Sequence, residues 1–437
     1  MNRIDITALL AALLALVSIG QIWGLSREAP GLDFYQFWVG AQVAGRSDLD
    51  DFYSEESADR LGAEYLQRAL VEGGSERRIA MAQRRRHLEF YSTPFLYSMF
   101  RLFVSGSYES DLWRYQAVSL GCGAGALLVL GTLYRFPAAA TWLVVVLCTI
   151  GFQPLRSDVR ATNVNQIQLA WLAAFLWLQG RGTPRSQWLA GASLGLLTAF
   201  KPNTAVIVFL LCIAWLLERR FEELKRQISG MVVGGALAGV IGSLYFGSLE
   251  SWHHWLRKIS QIPSEILRLD FGNFGLIRLV QETQGISLAL PMTMVLVLIA
   301  LAVLWVSRGE MASADRETLW LRDALVVGLG TLITFLMAPL VWQHYLVLVI
   351  PGILALWCPR LHGVGKRPQM RTLLSILGWA AVAITPWTTF VGMGTLPRQA
   401  LVVNGGLVLL LAVTIWARLD LHRAGSDPDL PAPREVA

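Results

Sequence analysis

The stretch Gln187-Trp-Leu-Ala-Gly-Ala-Ser-Leu-Gly-Leu-Leu-Thr-Ala-Phe-Lys-Pro-Asn-Thr-Ala-Val-Ile-Val-Phe-Leu-Leu-Cys-Ile-Ala-Trp-Leu-Leu217 decides how this chain is organised. It is apolar on both sides of Lys201-Pro202-Asn203. As one helix it would be about 46 Å long, against a bilayer hydrocarbon core of about 30 Å. Proline inside a helix removes a backbone hydrogen bond and collides with the preceding turn. The stretch therefore reads as two antiparallel membrane helices, 187–200 and 203–217, joined at Lys201-Pro202.

The rest of the chain follows the same logic. Of 437 residues, 54% are hydrophobic and only 16% charged, where soluble domains carry about 25% charged residues. Charge is concentrated in short segments. This excludes a soluble enzyme, a disordered protein and a disulfide scaffold, and defines a polytopic membrane protein. The excess of 37 Lys+Arg over 31 Asp+Glu needs no nucleic acid, because basic residues gather in cytoplasmic loops. The first apolar run, 6–25, is longer than a signal-peptide core and lacks a clear cleavage site, so it reads as an uncleaved first helix. Further runs fall at 111–134, 138–155, 165–180, 187–200, 203–217, 228–247, 287–307, 322–341, 345–358, 371–390 and 400–418. The basic or mixed segments 218–226, 308–322, 359–371 and the tail after 418 all fall on one side if 187–217 is two helices. This gives about twelve crossings with both termini inside. The half-length run 91–104, with Pro94 and Arg101, then reads as interfacial or re-entrant.

Residues 1–422 read as one membrane domain with two long external loops, 26–110 and 248–286. The Pro-rich segment 423–437 reads as a disordered cytoplasmic tail. In the first loop, Ala58, Leu61, Tyr65, Leu66, Ala69 and Leu70 recur at helical spacing, predicting an amphipathic helix on the membrane surface. Arg84-Arg-Arg86-His87 is a basic cluster on the external side, facing either lipid headgroups or a phosphate.

Ionisable groups are costly in a bilayer, so their positions carry information. Here they collect at turns on the external side: Asp33; Arg156, Asp158, Arg160, Asn163, Asn165 and Gln166; Lys201; Asn273 and Arg278; and His344 with Tyr345. Convergence of such distant turns is what an external active-site cavity requires. Each also has a plain structural reading. Asp33 could cap a helix, Lys201 could snorkel to headgroups, and His344 could belong to an aromatic belt.

Several segments together resemble the polyprenol-phosphate-mannose-dependent mannosyltransferases of glycosyltransferase family 87, which have the glycosyltransferase-C membrane fold. They are Asp33-Phe-Tyr with Phe52-Tyr53, Phe90-Tyr-Ser-Thr-Pro-Phe-Leu96, and Asn165-Gln-Ile-Gln168. Ala190-Gly-Ala-Ser-Leu-Gly195 leading to Lys201-Pro202, then Asn273 and Trp342-Gln-His-Tyr345, complete the series. The family usually has Gly-Gln-x-Asn where this chain has Asn165-Gln-Ile-Gln168. The resemblance implies an all-α polytopic, glycosyltransferase-C-like bundle in the plasma (inner) membrane. It also implies inverting transfer of mannose from a polyprenyl phosphate sugar to a hydroxyl of a glycolipid or glycan on the external (periplasmic) face. In that reading Asp33 is the base. Lys201, His344, Arg156 and Arg278 hold the donor phosphate, and Asn165, Gln166, Asn273 and Tyr345 bind substrate. No metal or other cofactor is expected. The partners are membrane lipids, the lipid-linked donor and the acceptor. Competing readings are a lipid or solute transporter or flippase, which predicts midplane charges and inverted repeats, a non-catalytic scaffold, and a glycan ligase of the same fold.

Overall fold

The computed structural model describes residues 5–43, 46, 51–269, 272–309, 315–383 and 396–426. Its first part comprises α1 (Ile6–Glu28), α2 (Leu32–Gly40), α3 (Glu55–Val71), α4 (Glu76–Arg84), α5 (Pro94–Phe100), α6 (Tyr108–Leu133), α7 (Ala138–Gly151) and α8 (Gln153–Ala161). There follow α9 (Asn165–Arg181), α10 (Pro184–Phe200), α11 (Ala205–Leu217), α12 (Phe221–Phe246), α13 (Glu250–Ser260) and α14 (Leu276–Gln284). The last part holds α15 (Ala289–Val306), α16 (Arg316–Met337), a 3-10 turn (Gln343–Val349), α17 (Ile350–Leu356), α18 (Pro359–His362), α19 (Pro368–Ala383) and α20 (Leu396–Ser426). Among the described residues there is no strand, only an isolated bridge between Asn273 and Trp342.

Among the described residues six helices, α1, α6, α12, α15, α16 and α20, are long and apolar enough to cross a membrane, and α7 with α8 makes a seventh if that pair, bent by 63°, is one span. Of the remaining runs, α9 and α10 have 17 residues each, and the apolar helices Pro202–Leu217 and Gln343–Leu356 are shorter. The end of the predicted span 371–390 and most of the tail 423–437 lie outside the described residues. Leu9, Leu10, Leu13, Leu16 and Val17 of α1, and Val232, Leu237, Val240 and Leu244 of α12, are exposed. Bare apolar rows of this kind belong against lipid rather than water. By contrast, α16 is buried along almost its whole length and forms the axis of the bundle.

The break at Lys201-Pro202 is where α10 ends. Lys201 is extended at φ −150°, and Pro202 opens a 3-10 turn leading into α11. Thr183 caps the other end of α10 by accepting from Ser186 N, with Pro184 in the first helical position, as is usual for proline. The helices α10 and α12 cross with small residues interleaved: a Cβ on Gly195 would overlap the Met231 carbonyl oxygen, and one on Gly234 the Ala192 carbonyl oxygen. Such close backbone approach is a common way to pack helices in lipid.

The segment between α1 and α6 is a folded layer. Phe34, Tyr35, Phe37 and Trp38 of α2 pack with Phe52, Tyr65, Phe90, Tyr97, Phe100 and Tyr108. Burial holds the phenols of Tyr35 and Tyr53 above their ordinary value, so both stay neutral. The structure corrects one expectation. Of the apolar face of α3, Ala58, Leu61, Tyr65 and Ala69 are buried in this aromatic core rather than laid on a membrane surface, Leu66 packs partly buried against it, and Leu70 is exposed. Periodicity reports an apolar face but not what covers it. The run 91–104 contributes α5, a helix of seven residues continued by a single 3-10 turn, 101–103.

Candidate active site

The site forms where the first turn of α2, the end of α8, the start of α9, the end of α10 and the 3-10 turn meet. Gly31, at φ +80°, turns the chain from α1 into α2, and a Cβ there would lie 2.8 Å from Leu112 and from the Tyr108 hydroxyl. Gly31 is also the N-cap of α2, and makes no side-chain cap. Asp33 therefore does not cap the helix. Its carboxylate is used elsewhere: Oδ2 accepts from Asn163 Nδ2 at 2.7 Å, and Oδ1 faces Arg85 Nη2 at 3.4 Å.

Asn163 follows Thr162, whose left-handed conformation (φ +55°) ends α8. The Asn163 carbonyl accepts from the Tyr115 hydroxyl at 2.7 Å, which fixes its backbone. Its side-chain Oδ1 accepts from Val164 N at 2.7 Å and from Lys201 Nζ at 3.2 Å. Lys201 also donates to Asn165 Oδ1 at 3.1 Å and lies over the Tyr345 ring, 4.3 Å from its centroid. Asn165 in turn donates to the wholly buried Asp158 at 2.7 Å, and Gln166 donates to the other Asp158 oxygen at 3.1 Å. Asp33 and Asp158 are the carboxylates that act on the Lys201 charge. A buried ammonium requires such neighbours.

His344 lies across from Asp33, its Nε2 3.9 Å from Oδ2. That distance is too long for a hydrogen bond, and Nε2 has no hydrogen-bond partner among the described residues. The ring is parallel to Trp342 and edge-on to Tyr345. Asn273 holds this turn in place: it accepts from Val341 N and Gly275 N and donates to the Pro339 and Leu267 carbonyls. All its hydrogen-bonding positions are spent within the protein.

Of the residues expected from sequence, Asp33, Asn165, Gln166, Lys201, His344 and Tyr345 come together. Asn273 supports the His344 turn from behind. Arg156 is half-buried on α8, with no side-chain hydrogen bond or ion pair among the described residues. Arg278 is on α14, where it donates to Gln281 and lines a separate polar cleft with Ser264, Glu265, Arg268 and Glu282. Asn163, Asp158 and Arg85 were not among the expected site residues. The first two belong to the polar turn already noted. Arg85 was hidden in the run Arg84-Arg-Arg86, in which nothing in the sequence singles out the middle residue.

The structure thus gathers a carboxylate, an ammonium and an imidazole at one end of a helical bundle whose apolar helices are long enough to cross a membrane. Residues 90–339, more than half of the chain, match glycosyltransferase family 87, and the chain belongs to that family. Asp33, His344 and Tyr345 lie outside the matched residues. No curated protein and no solved structure matches the chain.

Proposed function

We propose that this glycosyltransferase moves one monosaccharide, mannose, from a polyprenyl phosphate donor to a hydroxyl of a glycolipid or glycan, with inversion, on the external face of the plasma membrane. The observation that supports this is the convergence of Asp33 with Lys201 and His344. In a single displacement the acceptor oxygen attacks the anomeric carbon, and its proton passes to Asp33 as general base. The bond from that carbon to the phosphate oxygen breaks, and the phosphate leaves with the electron pair. The negative charge growing on the phosphate favours fixed cations and donors around it. Lys201 and His344 serve there, with Arg156 as a further cation; Arg278, which lines a separate cleft, is left out of the donor site. Asn165, Gln166 and Tyr345 orient the sugar, and Asn273 keeps His344 in register. No metal or cofactor is invoked.

The same reading has about twelve crossings and an external site. An impermeant thiol reagent on intact cells then labels a cysteine placed at the exposed Leu249 and spares one at the exposed Lys225. The reverse pattern removes the external placement. The activity is tested by supplying purified protein in nanodiscs with tritiated mannosyl decaprenyl phosphate and a membrane lipid extract. Mannose incorporation that disappears in Asp33→Asn supports the reading. No incorporation by the native chain, with incorporation from another lipid-linked sugar, moves the assignment to that sugar.

A further inference from the structure

Arg85 sits at the end of α4 and reaches the site from the outer layer. Its Nη1 pairs with Glu89 Oε2 at 2.7 Å while its Nη2 faces Asp33 Oδ1 at 3.4 Å. The Arg85 side chain is only 15% exposed and that of Asp33 17%, so this is not a solvated surface pair. The Arg85 Nε is buried without a hydrogen-bond partner among the described residues.

The segment carrying Arg85 is held from both sides. On the α2 side, Glu89 N donates to Gln36 Oε1 at 2.7 Å, one turn along the helix from Asp33. On the α3 side, His87 contacts Asp59 at 2.7 Å and Glu55 at 3.1 Å. Gly62 allows the α3 backbone to rest on the Arg86 carbonyl, because a Cβ there would overlap that oxygen. The outer layer thus fixes one loop, and the loop delivers one guanidinium to Asp33. Other charged or titratable groups facing Asp33 are Asp158 from α8, Lys201 from the end of α10, His344 and Tyr345 from the 3-10 turn, and Tyr115 from α6.

We propose that Arg85, anchored by Glu89, is a positioning residue for Asp33: it holds Oδ1 so that Oδ2, between Asn163 and His344, is the oxygen presented to the acceptor hydroxyl. The inference rests on Asp33 being the base. It gives the outer layer a part in turnover, since this loop ties α3 and α4 to Asp33.

The test uses the full chain in nanodiscs with tritiated mannosyl decaprenyl phosphate and membrane lipid extract. Misplacement of a reacting group by about 1 Å can cost on the order of 10²-fold in rate. Arg85→Met therefore lowers kcat on the order of 10- to 100-fold, with donor KM nearly unchanged. Arg85→Lys keeps part of the rate, and methylguanidinium in the assay restores part of it to Arg85→Ala. Arg84→Met, an exposed neighbour, behaves as the native chain. Native kcat in Arg85→Met, a loss confined to KM, or failure of both rescues overturns the proposal. Asp33→Asn separates the two failures: native turnover there removes the base itself. An inactive Asp33→Asn beside a fully active Arg85→Met removes only the role of Arg85. Thermal unfolding of Asp33→Asn, Arg85→Met and the double variant needs no turnover. Midpoint shifts that are not additive support the coupling, and strictly additive shifts overturn it.

Discussion

The side chain of Asn163 donates to the Asp33 carboxylate at 2.7 Å and, through its other atom, accepts from Lys201 at 3.2 Å. One amide therefore holds the Asp33 carboxylate and the buried ammonium at a fixed separation. An amide is suited to this because it both donates and accepts.

Asn163→Asp keeps the acceptor for Lys201 but replaces the donor to Asp33 with a second carboxylate. Like charges at that distance push the base out of place. The expected result is donor binding close to native, with turnover lower on the order of 10²-fold. Equal losses in Asn163→Asp and Asn163→Leu donor affinity, with turnover preserved in both, would show that the amide has no role in placing the base.

Asp33→Asn tests the proposed role of Asp33 as base directly. Gly31 is the N-cap of α2 and Asp33 makes no cap bond, so the change leaves the helix start intact. Asparagine cannot take up the acceptor proton. Turnover should fall on the order of 10²- to 10⁴-fold, with insertion and donor binding retained. Single-turnover transfer after donor binding measures the chemical step apart from affinity.

Much of this was readable in the sequence, and the unreadable part has identifiable physical causes. The break at Lys201-Pro202 was legible because proline has a fixed φ and no N–H to donate to the preceding turn. Asp33, Lys201 and His344 stood out because ionisable groups are rare in apolar sequence. Spans were harder to count: α7 bends into α8, and Gln343–Leu356 begins as a 3-10 turn, so hydropathy alone does not report where a helix stops. What covers α3 was not legible either, since aromatic residues spread over 34–108 supply its partner. Arg85 differs from Arg84 and Arg86 only by the direction in which the tertiary fold points it.

Lys201 and His344 should separate binding from turnover. Lys201 is held by Asn163, Asn165 and the Tyr345 ring, so Lys201→Met removes a cation and takes the donor from Asn165 Oδ1, while Asn163 Oδ1 keeps Val164 N. Donor affinity is expected to fall about 10-fold or more, consistent with a buried charge-assisted contact. His344→Ala should lower turnover with a smaller effect on affinity. Native affinity and rate in both variants would place the phosphate elsewhere.

The packing of α10 on α12 gives a stability prediction that is independent of chemistry. Gly195→Leu drives a side chain into the Met231 carbonyl, while Gly239, further along α12, has open space around an added Cβ. Gly195→Leu should cost about 1 to 3 kcal/mol or more, seen as a lower unfolding midpoint or lost insertion. Gly239→Leu should be close to neutral. Equal behaviour of the two would contradict the close crossing.

At the end of the bundle away from the site, Glu218 follows α11 and is buried among Arg322, Arg418 and Arg220. Burial alone would raise its pKa, but the three guanidiniums, Arg418 foremost, hold it down to about 2. A carboxylate depressed in the folded state contributes stability above its unfolded pKa of about 4.3 and loses it as the pH falls through the folded value. Glu218→Gln leaves Arg322 and Arg418 buried without their shared anion, a change that costs about 3 to 5 kcal/mol when one partner of a buried pair is removed. The gap in unfolding midpoint between native and variant protein should be constant from pH 8 to about 5. It should narrow as the pH falls below about 4.5, because only the native chain then gains a proton at this position. Thermal unfolding in nanodiscs across that range measures both features. A gap that stays constant down to pH 3 would mean that Glu218 does not titrate in the window set by its guanidinium partners.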